Sequence, residues 1–99
     1  MFAEGVGMEE QFTFNTDNGH GWLNVTELEL IRLGINKQIS TCSYIKHGRV
    51  YLEEDCDMPI FIKAYCKVNN ITEEEFIKNM NYSYYDGSSP IREYNHYNV

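Results

Sequence analysis

The chain has few basic residues and no long hydrophobic run. Its longest charge-free apolar run, residues 58–62, has five residues, whereas a membrane-spanning helix needs roughly 20. We therefore expect no contact with a membrane. Eight lysines and arginines stand against 15 acidic residues, which gives a formal net charge of −7. Because the phosphate backbone of DNA or RNA would repel such a chain, direct nucleic-acid binding is disfavoured.

Cysteine is also scarce. The three cysteines, Cys42, Cys56 and Cys66, are an odd number and occur at no spacing typical of a metal site. The N-terminus lacks the basic region and apolar region of a signal peptide. We therefore expect reduced thiols in a cytoplasmic protein whose core forms without disulfides. Since a core of this size has little margin of stability, homo-oligomerisation or a partner would help it.

The common catalytic signatures are absent. The sequence has no P-loop and no GxGxxG, GxSxG or HExxH motif. The acidic residues around Cys56 oppose formation of a thiolate, and Cys66 shares a predicted helix with core positions, so cysteine catalysis is disfavoured. We expect no enzymatic activity, no cofactor and no bound metal.

What the sequence does contain is the pattern of one α+β domain. Of 99 residues, 42% are hydrophobic and 14% aromatic, which is typical of a globular fold. Alternating apolar residues and turn formers predict two β-hairpins, residues 11–16 with 21–25 and residues 39–46 with 49–53. These hairpins predict a small antiparallel sheet packed with about three short helices.

The domain boundaries follow from the same patterns. Residues 1–10 have no period and are expected to form a flexible leader. Residues 11–81 form the predicted α+β domain. Residues 82–99 are a predicted C-terminal tail rich in tyrosine and asparagine.

Capping residues place the helices. Thr26 with Glu29, and Thr72 with Glu75, are spaced as capping boxes, and Gly34 follows the first helix as a left-handed cap. The predicted helices cover residues 27–33, residues 58–68 and a segment from Thr72 to near Asn81. Their expected apolar faces are Leu28, Leu30 and Ile31 in the first, and Ile60, Phe61, Ala64, Tyr65 and Val68 in the second.

The acidic run at residues 53–57 (EEDCD) is the most conspicuous local feature. Three interpretations remain open: acids that complement the dipole of the following helix, an acidic patch that faces a partner, and a site for a hard cation. The first is favoured because consecutive side chains of a strand point to opposite faces and cannot all converge.

His20 and the tyrosines each allow a functional and a structural interpretation. His20 lies between two glycines, which permit a ligand to approach the backbone closely, but a turn histidine with a satisfied nitrogen is favoured. Five of the eight tyrosines lie in the predicted tail. Because tyrosine is enriched in interfaces, they indicate either an aromatic contact surface or side chains that close over the sheet.

Several blocks together resemble a family of short proteins encoded by bacteriophages and mobile elements. The blocks are residues 19–23 (GHGWL), 33–35 (LGI), 39–40 (IS), 43–44 (SY), 51–57 (YLEEDCD), and Ile91, Arg92 and Tyr94. The resemblance spans roughly Phe12 to Tyr94 and departs from the family at Cys42, where tyrosine is usual. It implies a phage context and does not imply a mechanism.

In a phage context, small acidic proteins without catalytic motifs often act by stoichiometric binding. The leading hypothesis is a non-enzymatic protein in the host-cell cytoplasm that inhibits or redirects a host protein, for example a nucleic-acid-binding defence complex such as a CRISPR effector. Its acidic surface would occupy a basic channel of that partner. The residues expected to bind the partner are Glu53, Glu54, Asp55, Asp57, Tyr51, His20 and Trp22.

Two other functions remain open. A protein that sequesters a nucleotide signal would contact its phosphates through His20, Arg49 and Arg92, since arginine suits phosphate recognition. A metal-dependent hydrolase would use Glu53, Asp55, Asp57 and His20 around a divalent ion.

Overall fold

A mixed six-stranded sheet forms the body of the protein. The computed structural model describes residues 12–99, so Gln11 and the predicted leader lie outside the described residues. The strands are β1 (Thr13–Thr16), β2 (Gly21–Thr26), β3 (Tyr44–Lys46), β4 (Arg49–Glu53), β5 (Asn81–Tyr84) and β6 (Asn95–His96). Their order across the sheet is β5-β1-β2-β4-β3-β6.

Three short α-helices complete the predicted α+β fold. They are α1 (Glu27–Arg32), α2 (Met58–Asn69) and α3 (Glu73–Lys78), with 3-10 turns at Asn36–Gln38 and Pro90–Glu93. Thr26 Oγ1 accepts a hydrogen bond from the Glu29 amide, and Thr72 and Glu75 form the predicted reciprocal capping box. Gly34 has a φ of 72°, which confirms the left-handed cap.

Both predicted hairpins are present, with one boundary moved. β1 pairs antiparallel with β2, and β3 pairs antiparallel with β4 around His47 and Gly48, whose φ values are 52° and 78°. Two consecutive positive φ values are typical of the tight turns that match strand twist. The second hairpin starts at Tyr44 instead of residue 39, because Ser40 and Ser43 are bonded to a buried carboxylate described below.

The sheet extends beyond the two predicted hairpins: it includes parts of the predicted C-terminal tail, and it is mixed instead of antiparallel. β5 pairs in parallel with β1, and β6 pairs with β3, so segments of the predicted tail form both edges of the sheet. The amide of Asn81 donates to Phe12 and that of Tyr85 to Thr16. All four residues of β5 are exposed, so the strand has no alternating hydrophobic pattern from which it could be predicted.

Helices α2 and α3 cover one face of the sheet and enclose the core. Strand residues on that face are fully buried: Leu23, Val25, Val50 and Leu52. The ring of Phe12 lies 5.1 Å from that of Tyr65, 5.3 Å from that of Phe61 and 5.4 Å from that of Phe76, measured between centroids. These aromatic contacts join α2 and α3 to the strand side of the core.

Three residues of the expected helix faces are exposed instead. Leu28 and Ile31 are 54% and 52% exposed, and Val68 is 71% exposed, whereas Leu30 is fully buried. Helix α1 has six residues, fewer than two turns, so only one of its side chains faces the core. Val68 lies in the last turn of α2, where nothing among the described residues covers it.

The C-terminal segment crosses the other face of the sheet. Strand register places Trp22, Tyr44 and Tyr51 on this face. The Tyr94 ring lies 5.2 Å from the Tyr51 ring, and the Arg92 guanidinium lies 5.8 Å from the Trp22 ring. This covering explains why Trp22 is only 2% exposed, although it does not point into the main core.

Asp17 ties this crossing segment to the turn between β1 and β2. Its carboxylate accepts hydrogen bonds from the amides of Gly19, His20 and Ser89 at 2.8–2.9 Å. Arg92 donates two more, from Nε at 2.6 Å and from Nη2 at 2.9 Å. The Asp17 side chain is inaccessible to solvent. The Arg92 guanidinium, and then the backbone amides, hold the pKa of Asp17 well below its ordinary value.

We expect Asp17→Asn to lower the melting temperature at pH 7 by roughly 10 °C or more, because it leaves Arg92 without its counter-charge. The folded-state pKa of Asp17 is depressed, so its stabilising contribution is complete above the unfolded pKa of about 3.9 and is lost as the pH falls below that value. Thermal unfolding at pH 7 and pH 3 checks this. The wild type should lose more stability to acid than the variant does, and the exposed-site control Asp86→Asn should behave like wild type. Equal acid sensitivity of wild type and Asp17→Asn would contradict this role.

Gly21 provides a second test of the fold. A Cβ atom at Gly21 would lie 2.5 Å from Cζ of Phe14, so Gly21→Ala must displace a buried ring. We expect a loss of about 1–3 kcal/mol in the free energy of unfolding, measured with urea. A change within about 0.5 kcal/mol, the range of an innocuous surface substitution, would show that the ring has room to move.

Candidate functional site

A pocket of about 400 Å³ lies at one end of the sheet, beside the start of β2 and β3 and the end of β4. We call it the end pocket. It is lined by His20, Trp22, Cys42, Tyr44, Glu53, Asp55, Cys56, Arg92 and His96. It therefore combines aromatic rings, two carboxylates and two thiols in one place.

Aromatic rings form the floor of the end pocket. The Trp22 ring centroid lies 6.0 Å from that of His20 and 6.4 Å from that of Tyr44. The His96 ring lies 4.7 Å from Tyr44, and its Nδ1 is 2.6 Å from the carbonyl oxygen of Thr41. The prediction that Trp22 is an exposed partner anchor is wrong, because the C-terminal segment buries it.

The charge of the end pocket is negative. Arg92 is its only guanidinium, and the Asp17 carboxylate neutralises it. Glu53 and Asp55 add two carboxylates, and Glu53 Oε1 accepts hydrogen bonds from the amides of Asp55 at 3.0 Å and Cys56 at 2.8 Å. A pocket with this balance of charge repels phosphates.

The predicted nucleotide contacts also do not converge. His20 and Arg92 both line the end pocket, but Arg49 lies at the other end of β4, opposite Thr26. The Nε of Arg49 donates to Asn24 Oδ1 at 2.7 Å. The three-residue phosphate site proposed from the sequence is therefore wrong.

Asp57 is a buried structural acid. It is 1% exposed, and its carboxylate accepts hydrogen bonds from the amide of Ser40 at 3.1 Å, from Ser40 Oγ at 2.8 Å and from Ser43 Oγ at 2.6 Å. Asp57 occupies the N-cap position of α2, but its side chain does not cap that helix. The prediction that Asp57 faces a partner, or shares a metal with Glu53, Asp55 and His20, is therefore wrong.

The remaining predicted residues are divided between two places. His20, Glu53 and Asp55 line the end pocket, and Glu54 is exposed next to them. Tyr51 lies near the middle of the sheet, half-buried under Tyr94. Burial, followed by the proximity of Tyr94, raises the pKa of Tyr51.

The charged residues of β3 and β4 differ between the two ends of these strands. Lys46 and Arg49 pair at one end of β3 and β4. At the opposite end lie the carboxylates of the end pocket and Glu54. Asp86 is at the same end, because its neighbour Gly87 accepts a hydrogen bond from the amide of Asn18 in the β1–β2 turn. We call this group, Glu53, Glu54, Asp55 and Asp86, the acidic end.

Exposed tyrosines adjoin the acidic end along the outer strand β5 and at the residue that follows it. Tyr82, Tyr84 and Tyr85 are 65%, 64% and 49% exposed. The Tyr84 hydroxyl donates to Asn18 Oδ1 in the β1–β2 turn, and the Tyr82 ring contacts Phe14. We call these three residues the tyrosine edge. The density of tyrosines in the sequence indicates a contact surface, but their grouping at one edge of the sheet depends on β5, which was not predicted.

The glycines around His20 accommodate the protein's own side chains. A Cβ at Gly21 would meet Phe14 and Glu54, and a Cβ at Gly19 would lie 3.1 Å from Nη2 of Arg92. The close approach that these glycines permit is therefore used by internal packing, which supports the structural interpretation of the GHG sequence.

Within residues 12–99, no three histidine, cysteine, aspartate or glutamate side chains are grouped as a metal site requires. In the same part of the chain, no helix is long and apolar enough to cross a membrane. Comparison with known proteins adds no relative: no family model, curated protein or solved structure matches the chain.

We expect Asp57→Ala to cost about 3 kcal/mol of unfolding free energy, because Ser40 and Ser43 lose the acceptor to which they are bonded inside the protein. Asp55→Ala, two residues earlier and exposed, is the matched control and should change stability by less than about 0.5 kcal/mol. Urea unfolding of both variants provides the comparison. Similar losses in the two would contradict the assignment of Asp57 as a structural acid.

Proposed function

We propose that this chain is a non-enzymatic binding protein that acts by stoichiometric contact with a basic surface of another protein. The observation that carries the proposal is the grouping of exposed carboxylates and exposed tyrosines at one end of the sheet, away from Lys46 and Arg49. Exposed acids without adjacent bases favour a positively charged partner and steer its association.

The tyrosine edge supplies contact area for such a partner. Tyrosine combines a large ring with a polar hydroxyl and few rotatable bonds, so ordering it on binding costs little entropy. The backbone adds to this surface. Because the amides of Asn81 and Tyr85 point to β1, those of Tyr82 and Tyr84 point away from it, and no described strand pairs with that side.

The biological role that we propose is inhibition or redirection of a host protein by a phage-encoded chain in the host cytoplasm. A nucleic-acid-binding defence complex such as a CRISPR effector offers a basic channel of the required charge. The sequence resemblance to short phage proteins supports this context, and the acidic end supports the occlusion of a basic surface. Sequestration of a nucleotide receives no such support, because the end pocket is itself acidic.

Charge reversal tests the proposal. Tagged protein is used to capture a partner from the host, and the purified pair is measured by isothermal titration calorimetry over a range of salt concentrations. We expect Glu54→Lys with Asp55→Lys to weaken binding by roughly tenfold or more and to reduce its dependence on salt. Tyr84→Ala with Tyr85→Ala should weaken binding without changing the salt dependence.

The matched control is Glu73→Lys with Glu74→Lys in α3, which changes the net charge equally at exposed positions. This variant should bind the partner with an affinity within about twofold of the wild-type value, because Glu73 and Glu74 are remote from the proposed contact surface. Circular dichroism verifies that each variant is folded. Equal weakening by both charge-reversal pairs would attribute binding to net charge alone and would refute the proposed surface.

A further inference from the structure

Two exposed thiols meet at the rim of the end pocket. The Sγ atoms of Cys42 and Cys56 lie 3.6 Å apart, and the Cys56 thiol donates to Cys42 Sγ. Both side chains are exposed, so a reagent in solution can reach either sulfur. Since sulfurs in a disulfide lie about 2.05 Å apart, a small approach of the two segments is enough to form a bond.

Hydrogen bonds to two carboxylates hold the thiols in place. Asp57 binds Ser40 and Ser43, which flank Cys42 in the chain. Ser43 Oγ also accepts a hydrogen bond from the amide of Glu53 at 2.9 Å, which joins this segment to β4. The Glu53 carboxylate in turn accepts from the Cys56 amide. The pair is therefore preorganised by contacts that do not involve the sulfurs.

Neither cysteine belongs to a strand, so a bond between them would not replace any pairing of the sheet. Cys42 lies in a turn before β3, and Cys56 lies in the turn between β4 and α2. Cys66 is separated from both, because it is buried in α2, where its thiol donates to the Thr72 carbonyl at 3.7 Å. Burial raises the pKa of Cys66 and shields its sulfur from reagents in solution.

We propose that Cys42 and Cys56 form a reversible dithiol–disulfide site that exchanges with low-molecular-mass disulfides such as glutathione disulfide. This inference is independent of the proposed binding function. It uses an oxidant of defined class and requires no metal.

The exchange proceeds in two balanced steps. The Cys42 sulfur attacks one sulfur of RSSR, which forms a Cys42–S–S–R mixed disulfide and releases RSH that carries the Cys42 proton. The Cys56 sulfur then attacks Cys42 Sγ, so the Cys56 proton leaves with the second RSH and an internal disulfide remains. The two cysteines lose two electrons and two protons, and one RSSR is reduced to two RSH.

The position of the Glu53 carboxylate next to Cys56 sets the order of the two steps. The Glu53 carboxylate, which accepts a hydrogen bond from the Cys56 amide, disfavours negative charge on the Cys56 sulfur. The bond to Cys42, together with the Glu53 carboxylate, raises the pKa of Cys56 to about 12. Cys56 is therefore the slower initial nucleophile and acts as the resolving thiol once the mixed disulfide has formed.

Mass spectrometry of the full chain in buffers of reduced and oxidised glutathione tests the site. We expect the oxidised protein to lose about 2 Da, with a bridged peptide that joins Cys42 to Cys56. Oxidation should raise the melting temperature by about 5 °C or more, because the bridge closes a loop in the unfolded chain. Cys66→Ala is the control and should form the same bridge.

Single-cysteine variants test the order of attack. Cys56→Ser should accumulate one glutathione adduct, of about 305 Da, at Cys42. Cys42→Ser should acquire an adduct at Cys56 more slowly at pH 7.5, because the Glu53 carboxylate still lies next to that sulfur. The proposal would be overturned if the wild-type chain only accumulated separate adducts or formed a bridge through Cys66. Equal rates of adduct formation in the two variants would also overturn it. Because both side chains are exposed, these variants are expected to fold, which circular dichroism verifies.

Discussion

The buried carboxylate of Asp17 is the interaction on which the rest of the architecture depends. It binds the turn between β1 and β2 through the amides of Gly19 and His20, and it binds the C-terminal segment through Ser89 and Arg92. The segment held in this way buries Trp22, brings Tyr94 onto Tyr51 and leads the chain to β6. Asp17 thus holds one end of the segment that covers the second face of the sheet, and the pairing of β6 with β3 holds the other.

Local signals in the sequence predicted the elements that depend on a few neighbouring residues. The caps at Thr26 and Thr72, the left-handed Gly34 and the tip at Gly48 each depend on backbone geometry within one turn, and the structure confirms each of them. The two outer strands could not be predicted in this way. β5 is fully exposed and β6 has two residues, so pairing with distant strands creates them and no hydrophobic period marks them.

The candidate site shows the same division. Its acidic run was visible in the sequence, but burial separates Asp57 from its neighbours, since only the folded chain brings Ser40 and Ser43 to its carboxylate. The sequence contains no signal that pairs Cys42 with Cys56, because the two cysteines are 14 residues apart. The sequence therefore indicates which carboxylates and thiols are present, whereas the folded loops around the end pocket determine which of these side chains are in contact.

The parallel pairing of β5 with β1 has a consequence for the folding reaction. Thr13 pairs with Asn81, 68 positions later in the chain (81 − 13 = 68), whereas each hairpin joins strands that are close in sequence. Closing the long loop costs more chain entropy than closing a hairpin. We therefore expect the two hairpins to assemble early and β5 to join last, with its amides the first to exchange hydrogen with solvent. The exposed tyrosines of β5 therefore lie in the strand that we expect to be least protected against hydrogen exchange.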